Sequence, residues 1–157
     1  MFEQAPENPR YIIIGIQKDK SGNQEKNPAL FDNVNVSKMS VVMNDTEYPA
    51  LDINTNFTKN QYMQFYKMMA DFSRDFYGID PLVAGNAITP LSYKELFPLY
   101  VFNVSKQSER INQGVVDVTV KMQFSAGVGD HARAYALIIS DRRLKLESDG
   151  NKMHVLY

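Results

Sequence analysis

At 157 residues, with a net charge of -1 and with 44% hydrophobic and 22% charged residues, the chain has the size and balance of one globular domain. The absence of cysteine removes disulfides, thiolate metal sites and thiol nucleophiles, and the near-neutral charge supplies no general pull toward nucleic acid or anionic membrane. The longest apolar runs, "YIIIGI" and "AYALII", fall far short of the ~18 residues of a membrane-crossing helix.

The opening "MFEQAPENPR" lacks the basic-then-apolar pattern of a secretion signal. Residues 1–9 read as a linker or fragment start, and 10–157 as a single domain of an intracellular chain. "RYIIIGIQ" (Arg10–Gln17) is continuous and β-branched, as suits a strand buried on both faces. Lys18–Pro28 is polar and turn-rich, an exposed loop. Over Val34–Asn44 the apolar phase moves from Val34 and Val36 to Met39, Val41 and Met43. A period of two admits such a shift only with an extra residue, which places a bulge near Ser37 and Lys38. Glu47–Ile53 reads as a short strand whose Pro49 confines it to an edge or a strand start.

The period then changes. Tyr62, Phe65, Tyr66, Met69, Phe72 and Phe76 recur at helical spacing and form the expected core face of an amphipathic helix covering a sheet or a sheet edge. Thr58 with Gln61 makes a capping box for it, and Gly78 a left-handed stop. Thr89–Pro98 reads as a short helical turn, with Ser92 and Glu95 as a second capping box. From Leu99 to Phe124 two strands flank a polar knot, Ser105, Lys106, Gln107, Ser108, Glu109 and Arg110. In the second strand Val116, Val118, Val120, Met122 and Phe124 face one way, and Asp117, Thr119, Lys121 and Gln123 the other, the alternation of a half-buried antiparallel strand. Ala132–Ser140, Arg143–Glu147 and Lys152–Tyr157 complete the set, the last two joined by an Asp149-Gly150 hairpin signal. About eight strands with one inserted amphipathic helix make an all-β fold, an antiparallel jelly-roll β-sandwich.

Chemistry is sparse. His131 lies in a loop and His154 in the last strand, without the cluster of imidazoles and carboxylates that a metal needs, so no metal and no cofactor are expected. Ser105 adjoins Lys106 without the Ser-x-x-Lys spacing that places both on one helix face, and no Gly-x-Ser-x-Gly elbow exists. No catalytic residue is assigned, and the knot reads as a tight connection. Sequons occur at Asn35, Asn44, Asn56 and Asn103, two of them inside predicted strands.

Six stretches carry a resemblance: "PRYIIIGIQ", "KNPALFDNVNV", "YPALDIN", "NQYMQFYKMMADFSRDFYG", "YVFNVSKQSERINQGVVDVTVKMQF" and "AYALIISDR". In this order they resemble the C-terminal part of double-jelly-roll-like proteins of invertebrate genomes and virus-like transposons. Those proteins are related in fold to the major capsid proteins of double-stranded DNA viruses. The resemblance implies a structural, non-enzymatic protein that self-assembles into virus-like shells, in a virion or inside a host cell. Its expected partners are further copies of itself, a trimer among the arrangements, and a second jelly roll; no membrane and no specific nucleic-acid contact are implied. Ser105–Arg110 then become a structural loop or subunit contact. The alternative is a jelly-roll module that binds a glycan or a protein partner through its loops, since jelly rolls host lectins as readily as capsids.

Overall fold

The computed structural model describes residues 8–78, 88–106, 116–141, 145–148 and 153–156. Within them the elements run β1 (Pro9–Lys18), β2 (Val36–Met43), β3 (Thr46–Tyr48), α1 (Met63–Tyr77), α2 (Pro90–Glu95), β4 (Tyr100–Asn103), β5 (Val118–Phe124), β6 (Ala132–Ser140), β7 (Lys145–Ser148) and β8 (Met153–Leu156). They form two antiparallel three-stranded sheets, ordered β4-β1-β6 and β3-β2-β5, and a β7-β8 hairpin. This is the expected jelly-roll type of β-sandwich.

Residues directly opposite in an antiparallel pair share a face. Ile12 opposes Phe102 and Ile138, and Ile14 opposes Tyr100 and Ala136, so Ile12, Ile14, Tyr100 and Phe102 line the inner face of the first sheet. In the second sheet Met39, Val41 and Met43 oppose Met122, Val120 and Val118. The two inner faces and α1 meet in one apolar core. The outer face of β1 is covered as well: Tyr11 packs edge-on against Phe72 of α1 at 4.9 Å between ring centres. A Cβ on Gly15 would collide with the Phe31 ring. Two-sided cover explains why β1 is apolar at almost every position.

Phe31 reaches that place because the loop after β1 is pinned back along the strand. The Lys20 ammonium donates to the Leu30 carbonyl at 2.7 Å and meets Asp32 at 2.9 Å. Asp32 in turn accepts from the Lys18 amide, and Gln17 donates to the Pro28 and Leu30 carbonyls. Lys20 is buried, and its charge is compensated on the spot, as burial of an ammonium requires.

The β2 ladder slips between Val36 and Lys38, where the phase shift placed a bulge. Four local expectations need correction. Val34 and Asn35 precede the strand in left-handed conformation (φ 40 and 54), rare for a β-branched residue. The strand expected over Glu47–Ile53 stops at Tyr48, because Pro49 has no N–H to continue a ladder. Thr58 and Gln61 do not cap α1: its N-cap is Tyr62, with no side-chain bond. Asn56 competes for this segment, pairing with Gln61 and accepting the Lys59 amide at 2.9 Å in a tight turn. For α2 the cap is Thr89, whose hydroxyl accepts the Ser92 amide at 3.1 Å ahead of Pro90; Ser92 is inside the helix. The stop of α1 is as expected, Gly78 at φ 66 with its N–H on the Arg74 carbonyl.

Candidate functional site

The polar knot begins at the end of β4. Asn103 accepts both the amide and the hydroxyl of Ser105, at 3.1 and 2.6 Å. That hydroxyl is therefore spent on a local turn, and Lys106 beside it is exposed. Gln107, Ser108, Glu109 and Arg110 lie outside the described residues.

The helix face is graded along its length. Tyr62, Phe65 and Met69 are buried, while Tyr66 and Phe72 are half-buried. Phe76 is 46% exposed, held in a chain of rings with Tyr11, Phe72 and Tyr77. Phe65 packs edge-on against Tyr100 at 4.9 Å, on the inner face, whereas Phe72 meets Tyr11 on the outer face. The helix thus straddles the β4 edge of its sheet and covers it. A cleft of about 170 Å³ remains where α1, β4 and the Tyr48-Pro49 corner meet, walled by Tyr11, Tyr48, Phe72 and Phe102 with Asp71 and Asp75 at hand. Both carboxylates are already engaged, Asp71 by Lys67 and Arg74, and Asp75 by Arg74.

The outer face of the second sheet holds a polar cluster that alternation alone did not expose. The Ser40 hydroxyl donates to Glu47 at 2.5 Å, and Lys121 stands 3.6 Å from the same carboxylate. Lys38 is paired with Asp52 at 2.7 Å. The Ser40 hydrogen bond, followed by the fields of Lys121 and Lys38, holds Glu47 below the ordinary carboxylate range. A carboxylate so stabilised is a poor proton acceptor at neutral pH, and the small pocket here is lined by Lys38, Ser40, Glu47, Lys121 and Gln123, without an imidazole. Among the described residues no three histidines, aspartates or glutamates converge as metal ligands. His131 sits exposed at φ 62 in the turn before β6, and His154 lies opposite Glu147 in the β7-β8 ladder.

The opposite end of the sandwich is open. Ala134 and Ala136 of β6 share the inner face with Ile16 and Ile14, yet both are exposed. On the outer face Tyr135 is 47% and Leu137 59% exposed. Across the sandwich Val118, Val120 and Met122 of β5 are only half-buried. Sheet order puts β5 and β6 away from β3 and β4, so α1 seals one end and nothing described seals the other. The sequence marked "AYALII" as apolar but gave no sign that it is uncovered.

Two facing antiparallel sheets, one edge strand under a helix and an apolar edge opposite that no described residue covers, define the class: a jelly-roll β-sandwich. A family model for the double jelly roll-like domain matches residues 3–144, and the chain belongs to that family. Comparison with curated proteins and with solved structures finds no match. No helix among the described residues is long and apolar enough to cross a membrane.

Proposed function

We propose that this protein is a structural, non-catalytic subunit that builds a capsid-like shell by association with copies of itself, working without a cofactor. The observation that carries the reading is the apolar β6 edge, uncovered among the described residues, on a sheet whose other edge lies under α1. Apolar strand edges of this length are templates for pairing, and chains that stay single shorten, charge or cover them. Membership of the double jelly roll-like family supports it, since the fold is that of shell-forming proteins, and a second jelly roll is the natural heterologous partner. Kinship to virus-like transposons, residence in a virion or host cell, and trimeric packing belong to the same proposal. Light scattering after size exclusion, with electron microscopy of any heavy fraction, tests it. Trimers or closed particles are expected; a monomer at every concentration and salt tried ends the reading.

The cleft beside α1 favours a second reading, a module that binds a glycan or protein segment. Its rings could stack on a sugar face or an apolar side chain. Binding on a glycan array that Tyr48→Ala removes would favour it; a blank array would count against it.

A further inference from the structure

The hairpin β7-β8 is a pair of strands without a sheet. Among the described residues each ladders with the other alone, Leu146 opposite Val155 and Glu147 opposite His154. Such a two-stranded unit is marginal alone in water and gains stability from a third strand, and Leu146 is 59% exposed. Meanwhile β6, nine residues long, is paired among the described residues on its β1 side alone.

The chain's own hairpin does not take that place. Past Ser140 the Asp141 amide donates to the Asn8 carbonyl at 3.2 Å, and the Asp141 carboxylate meets Arg10 at 3.4 Å. Asp141 thus still lies along the β1 side, and among the described residues β7 ladders with β8 and not with β6. We infer that the β7-β8 hairpin of one copy docks antiparallel on the free β6 edge of another, extending the β4-β1-β6 sheet by strand addition. This rests on the self-association proposed above and names its contact.

Side-chain chemistry fits one register. With Leu146 opposite Ala134, the leucine falls on the open inner face, where the small alanine leaves room. The hairpin lies beyond residue 144, where the family match ends.

Because the chain has no cysteine, introduced thiols report without ambiguity. Full-length protein carrying Ala134→Cys on a tagged copy is mixed with untagged Leu146→Cys protein and treated with a short bis-maleimide. A tagged–untagged species of twice the chain mass is expected. Cross-linking confined within a chain that carries both cysteines overturns the inference. Assembly of full mass with no mixed cross-link also overturns it, while leaving self-association intact; a protein monomeric throughout removes both. As a second measurement, Leu146→Asp should weaken association by about tenfold or more at an unchanged unfolding midpoint, and unchanged association overturns the inference.

Discussion

At the scale of single residues, the outer cover of β1 depends on one missing side chain. Gly15 is buried beneath Phe31, and Leu99 would lie 3.1 Å from an added Cβ. Gly15→Ala should cost about 1–3 kcal/mol through overpacking, read as a lower urea midpoint; an unchanged midpoint would mean that the ring swings aside freely. Titration offers a second handle. Burial pushes the phenols of Tyr93 and Tyr100 far above their ordinary value near 10. The unfolded chain exposes both and ionises them at that ordinary value, while the folded chain keeps them protonated. Their contribution is therefore fully present below about pH 10 and is lost as pH climbs beyond it. Urea unfolding at about pH 8 and about pH 11 should register a loss that Tyr100→Phe reduces. Equal losses in both proteins would assign the effect to other groups.

Elements explain why some features could be read in advance and others not. The alternation of β5 and the helical stripe of α1 are repeated signals, and repetition over several turns or pleats outweighs any single misfit. Capping boxes are pairs of residues, and a pair has no such redundancy. Asn56 builds a turn that carries the chain past Thr58 and Gln61 before the helix begins. The grading along α1 makes a direct test. Phe65→Ala removes rings from Tyr100 and Phe102 and should cost about 3–5 kcal/mol. Phe76→Ser, at the exposed end of the same stripe, should cost about 1 kcal/mol or less. Comparable losses in denaturant unfolding would contradict the graded burial.

For the whole molecule, the sandwich class was legible because the alternation of β2 and β5 declares an inner face and the unbroken apolar run of β1 declares a strand covered on both. The polar cluster was not, since Ser40 and Lys121 meet only through the non-local β2-β5 register. Nor was the open end, because a sequence tells which residues are apolar and never what fails to cover them. The sealed β4 edge has a further consequence. A hydrogen-bond ladder arriving at β6 runs through β1 and β4 and stops beneath α1, so no continuous ribbon can thread from copy to copy. The helix acts as a terminator: added strands can lengthen this sheet from its β6 edge and not from its β4 edge.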